Sequence, residues 1–165
     1  LLEPRVDLVI GAPGDGPPGA YRTARLGDVP FVFAVAPQHP LARHRGPLSL
    51  EQVRAWRAVV AADSSRRLPP RSSPLLAGQD ILTVPDMDAK LAAQQAGLGV
   101  GFLPRWLALP AAEAGTLQLC QVEHPNPPAP VYYAWRERRP GRALAWFLAQ
   151  LAFPDVCARL LGGAP

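Results

Sequence analysis

The fold class this sequence predicts is α/β, a sheet covered by helices on both faces, and three observations predict it. Short β-rich runs alternate with helical patterns along most of the chain. The helical segments carry their own start and stop residues. Apolar residues make up 48% of the chain and charged ones 18%, so it can fill a core. Its 165 residues suit one ordinary domain or two small lobes.

The first strand is expected at residues 6–10, in the stretch VDLVIGAPGDGPPG. Gly14, Gly16 and Gly19 there spell G-x-G-x-x-G, a spacing that cradles a dinucleotide when its last glycine opens a helix. Pro17 and Pro18 occupy the place of that helix and bias the residues before them toward extended backbone, so the stretch reads as strand and then loop. AYRTARLGDVP has no helical apolar repeat and is read as loop leading to a second strand at 31–36.

In PLSLEQVRAW, Ser49 precedes Gln52 by three residues, a capping box that starts a short helix. A third strand, 58–62, stops at the polar set Asp63, Ser64, Ser65, Arg66. A Pro-rich loop and a fourth strand, 81–84, lead to the clearest helix. It has Asp86 as N-cap, Met87, Leu91 and Ala92 as its apolar face, and Gly97 as a left-handed stop. Residues 100–103 form a strand closed by Pro104, with a helical turn at 105–109. Residues 116–122 and 131–136 are strands on either side of the extended connection HPNPPAP. GRALAWFLAQL is an amphipathic helix with Leu144, Phe147, Leu148 and Leu151 inward.

No catalytic set emerges. Ser64 and Ser65 lack the G-x-S-x-G elbow that exposes a nucleophile. His39, His44 and His124 sit in Pro-rich loops, where a solvated surface role is expected, and no third ligand joins His39 and His44 to hold a metal. Cys120 and Cys157 are far apart without a C-x-x-C, which suits a reducing compartment, and Cys120 reads as a small core residue. Asp86 and Asp88 are explained by capping and by the helix dipole. The net charge of +4 is carried by scattered arginines, and the densest cluster, RERRPGR at 136–142, reads as a solvated turn. Lys90 is the only lysine among 17 basic residues. No apolar run reaches membrane length, and a cytoplasmic location is expected.

Binding has more support. In α/β sheets ligands lie beyond the carboxyl ends of the strands, which singles out Gly11, Ala12, Asp63, Ser64, Ser65, Arg66, Val84, Asp86, Met87 and Phe102. The DSSR set offers hydroxyls and a guanidinium to a polar or anionic group, with a local turn around Asp63 as an equal alternative. Phe102 reads either as an apolar pocket wall or as plain core.

Taken in order, L-x-x-x-R-V-D-L-V-I-G, FVFAVAPQHPLA, PLSLEQV, DSSR, LTVPDMDAKLAAQQAGLGVGFLP and VYYAWRERRPGRALAWFL resemble the effector-binding domain of LysR-type transcriptional regulators, over almost the whole chain. The resemblance implies a fold like type 2 periplasmic binding proteins: two Rossmann-like α/β lobes joined by two crossing strands, with a small-molecule effector held in the cleft. Lobe one would be residues 1–60 plus 128–165, lobe two 61–127, and the crossing strands would lie near 59–63 and 125–131. The ten strand-end residues named above become the expected effector contacts, with Arg66 the anchor for a carboxylate ligand. No catalytic residue, metal or cofactor is implied. In the parent protein the domain would form a homodimer or tetramer, without a membrane. DNA would be met only through a helix-turn-helix domain absent from this sequence, and the opening strands and helices of lobe one are absent too, leaving that lobe incomplete. Two other readings share the fold: the solute-binding protein of a transporter, and a small enzyme using the same cleft.

Overall fold

The structure is a computed structural model that describes residues 6–12, 21–62, 78–136 and 141–162. Along the chain lie β1 (Leu8–Ala12), β2 (Arg22–Val29), β3 (Phe31–Val35), α1 (Leu50–Arg54), β4 (Ala58–Ala61), β5 (Ile81–Val84) and α2 (Met87–Gln95). They are followed by β6 (Gly101–Pro104), α3 (Arg105–Glu113), β7 (Gln118–Cys120), β8 (Ala129–Trp135), α4 (Arg142–Gln150) and α5 (Pro154–Leu160).

These elements fall into two units, Leu1–Pro30 with Pro128–Pro165, and Phe31–Pro127. The chain therefore passes from one unit to the other at Pro30–Phe31 and again at Pro127–Pro128. Residues 31–60, expected in lobe one, lie in the second unit, because β3 is the central strand between β6 and β7 there. The first passage accordingly falls at 30–31, not near 59–63.

In the first unit β8 is the middle strand, with β1 and β2 both antiparallel to it. The strand β2 occupies a stretch expected to be loop. Its period of two is interrupted by a register shift between Arg25 and Gly27, so the alternation that would have marked it is broken partway. Leu26 is buried with Tyr133, Leu151 and Cys157. Arg25 and Asp28 form an exposed ion pair, one guanidinium nitrogen contacting both carboxylate oxygens. On α4 the inward residues are Leu148 and Leu151, while Phe147, expected inward, is exposed. The helix α5 was not expected; Pro154 at its first position supplies a fixed φ suited to helix initiation.

The second unit contains an antiparallel sheet β6–β3–β7 and a parallel pair β4–β5. A parallel bridge between Ala58 and Val100 joins them, with Val59 N–H donating to Val100 O at 2.9 Å and Val100 N–H to Arg57 O at 2.9 Å. Gly99 makes this approach possible: a Cβ there would stand 2.6 Å from Arg57 O. Strand β3 separates two core clusters by its alternation. Phe33 and Val35 join Leu41, Leu48 and Val100 on one face, and Ala34 joins Leu103, Ala108, Ala111 and Leu117 on the other.

Local signals hold at the helix ends of this unit. Both bonds of the Ser49/Gln52 capping box form, at 2.9 and 3.3 Å. The Asp86 carboxylate accepts from Ala89 N–H at 2.8 Å, and Gly97 takes φ +73° after α2. The buried face of α2 differs from the expected one. Lys90, Ala93 and Gln94 are buried, Met87 and Leu91 are half-buried, and Ala92 is exposed. The face has turned because Gln94 finds acceptors in the sheet, described below.

Candidate functional site

The expected strand-end residues distribute unequally over the described structure. Gly11 and Ala12 belong to the first unit. Gly11 sits where the β1–β8 register shifts, at φ +84°, a backbone that only glycine adopts without strain, and nothing lies within 4 Å of the place a side chain would take. Asp63, Ser64, Ser65 and Arg66 lie outside the described residues.

In the second unit Val84, Asp86 and Met87 are brought together by sequence at the carboxyl end of β5. The parallel β4 ends beside them: Ala61 pairs with Val84, and Ala62 N–H donates to Val84 O at 2.7 Å. The carboxyl ends of two parallel strands thus stand level, the arrangement that leaves loops and a helix start available to a ligand. The carboxylate of Asp86 caps α2. Phe102 lies opposite Phe33 in the sheet, the two rings meeting edge to face at 5.3 Å and 74°, and packs on the Phe33–Val35–Val100 cluster.

Two polar residues that strand-end reasoning passed over are buried beside this rim. Lys90, on the first turns of α2, is 4% exposed, and Gln94, one turn on, is fully buried. Gln94 Nε2 donates to Ala34 O at 3.1 Å and Gly101 O at 2.9 Å, tying α2 to β3 and β6. Burial lowers the Lys90 ammonium from 10.5 to about 8. The signal in the sequence was the solitary lysine of an arginine-rich chain, spaced four residues from a glutamine.

The histidines divide. His44 and His124 are exposed, whereas His39, expected at the surface, is buried. Its Nδ1 accepts from Leu41 N–H at 3.2 Å, and its ring meets Trp56 edge-on at 4.4 Å. Burial lowers its pKa. A histidine is found in the interior here because it caps the 3-10 turn Pro40–Arg43 while presenting an apolar ring face. Burial raises the Cys120 thiol, which disfavours the thiolate and suits a packing role. Among the described residues no three His, Cys, Asp or Glu side chains group to hold a metal ion. None of the described helices is long and apolar enough by itself to cross a membrane.

Two α/β units with two chain passages define a class, domains of the type 2 periplasmic-binding-protein-like fold. The chain belongs to the LysR substrate binding domain family, which it matches over residues 1–153. The HTH-type transcriptional regulator YeeY of Escherichia coli (strain K12) is 37% identical over 164 residues, 96% of this chain and 53% of YeeY. The chain thus spans about half the length of that relative. Among solved structures, the probable transcriptional regulator PA0477 from Pseudomonas aeruginosa shares the fold with TM-score 0.68 at 21% identity, over 90% of this chain and 49% of PA0477. The effector binding domain of QuiR, in complex with shikimate, matches with TM-score 0.64 at 16% identity, over 93% of this chain and 71% of QuiR's.

Proposed function

We propose that this chain senses a small metabolite on behalf of a LysR-type transcriptional regulator and leaves it chemically unchanged. The observation that carries the reading is the family match across residues 1–153. Effector contacts are assigned to Gly11, Ala12, Asp63, Ser64, Ser65, Arg66, Val84, Asp86, Met87 and Phe102, the residues that the strand pattern of the sequence singled out. In the cytoplasm the whole protein works as a homodimer or tetramer, and it meets DNA through a segment outside these residues. Effector binding then shifts DNA affinity by the coupling typical of such switches, roughly 1 to 3 kcal/mol.

The test uses the full-length protein. Ser65→Ala and Met87→Ala are expected to weaken the effector dose response about tenfold while leaving basal operator binding unchanged. A normal dose response in both variants would remove the contact assignment. Operator binding by the isolated 165-residue chain would remove the division of labour.

A further inference from the structure

The chain passes between its two units at two places, and prolines stand at both. At the first passage β2 ends at Val29 and β3 begins at Phe31, with Pro30 alone between them. At the second, Pro127 is the last residue of the second unit, Pro128 is the next of the first, and β8 follows at once. The register of β2 on β8 pairs Asp28 with Pro130 and Val29 with Ala129. Continued along the strands, it sets Pro30 opposite Pro128 within the first unit and Phe31 opposite Pro127 within the second.

Antiparallel partners exchange hydrogen bonds at every second pair. Pro130 has no N–H to give, so the bonded pair is Val29 with Ala129, and the next would be Phe31 with Pro127. One bond of that pair would need a Pro127 N–H, which proline lacks. The other, from Phe31 N–H to Pro127 O, is not formed among the described residues. The two-stranded ribbon therefore stops where the units part.

The same prolines restrict the torsions. A pyrrolidine ring fixes its own φ, and a proline holds the ψ of the residue before it in the extended range. At the first passage Val29 ψ and Pro30 φ are thereby set, which leaves Pro30 ψ soft. At the second, both torsions of Pro127 and the φ of Pro128 are set, which leaves Pro128 ψ soft. These soft torsions belong to residues that face each other in the register. Hinges absorb their motion in a few such positions.

We propose that Pro30, Pro127 and Pro128 form a single-axis hinge, in which the two units bend about the facing ψ torsions of Pro30 and Pro128 without breaking a backbone hydrogen bond. The hinge is a property of the chain itself and stands independently of the effector-sensing reading.

The test measures distances between the units in the full-length protein, with no ligand added. Nitroxide amino acids are placed at Arg45 and Arg159, which are exposed and belong to different units. Labelled subunits are diluted into unlabelled ones, and pulsed electron spin resonance gives the distance distribution. In Pro30→Gly/Pro128→Gly, which releases φ at both passages, the distribution should widen about twofold or more. In Pro127→Val/Pro128→Val, which restores the missing donors in a strand-forming residue type, the ribbon should extend: the new amide at position 127 should exchange at least about tenfold more slowly than an unbonded one, and the distribution should not widen. Slow exchange of the Val100 and Leu151 amides, one in each unit, verifies that both units stay folded. Should the glycine pair fail to fold, Pro30→Ala releases a single torsion and should widen the distribution by a smaller factor. A folded glycine or alanine variant with the unmodified protein's distribution would overturn the hinge, because contacts elsewhere would then be fixing the units. An unprotected amide at position 127 would overturn it too, since proline would not be what ends the ribbon.

Discussion

Replacing Lys90 with methionine should stabilise the chain, although the residue is buried and the substitution removes a charge. Methionine retains the straight apolar stem and deletes the ammonium, so the packing changes little while the desolvated cation disappears. The size of the effect follows from the pKa. In the unfolded chain Lys90 keeps its proton up to about 10.5, and in the folded chain burial brings this to about 8. That displacement corresponds to roughly 3 kcal/mol of cost for holding the cation inside at neutral pH, and relaxation around the site reduces what a variant recovers to about 1 to 3 kcal/mol.

The sign is fixed by proton counting. Between the two pKa values the unfolded chain binds the additional proton, so the Lys90 contribution to stability rises with pH across that window. Lys90→Met should therefore exceed the parent in stability by its full margin below pH 8, by less above it, and by nothing beyond about pH 10.5. Hydrogen exchange at the Val59 and Val100 amides, which bridge β4 to β6, reports the stability of this unit directly, and the difference between the two proteins cancels the titration of other groups. A variant less stable than its parent at pH 7, or a margin that ignores pH from 7 to 10.5, would refute the reasoning. Either result would mean that the ammonium is satisfied inside the folded chain.

Two more predictions test other parts of the second unit. Because burial lowers the His39 pKa, this residue contributes stability that is fully present above its ordinary value near 6.5 and is lost as the pH falls through the lowered one; His39→Asn, which keeps an acceptor for Leu41 N–H but does not titrate, should flatten the pH dependence of urea midpoints between pH 7 and 5. Gly99→Ala places a Cβ 2.6 Å from Arg57 O and 2.9 Å from Val59 Cγ2, so it should destabilise the β4–β6 bridge by about 2 kcal/mol or more and deprotect the Val59 and Val100 amides; an unchanged exchange rate would show that the bridge gives way without cost.

Much of this molecule was legible in the sequence wherever a feature is decided within a few residues of itself. The Ser49/Gln52 box, the Asp86 cap, the Gly97 stop and the strands at 31–35, 58–61 and 81–84 depend on backbone groups at most four positions away or on an apolar run that announces itself. The ordered set of motifs also carried the family, since it samples the chain from end to end. What stayed hidden depends on partners far along the chain. The strand β2 exists because β8, more than a hundred residues later, accepts its register. Residues 31–60 joined the second unit because β3 pairs with β6 and β7. His39 is interior because Trp56 lies against it. Lys90 and Gln94 look in sequence like the polar side of an amphipathic helix, and only the carbonyls of Ala34 and Gly101 decide that Gln94 turns inward and takes Lys90 with it. A helix written in sequence specifies its own ends through short-range hydrogen bonds, but which of its faces is buried depends on the free energy of contacts with a sheet assembled from distant segments.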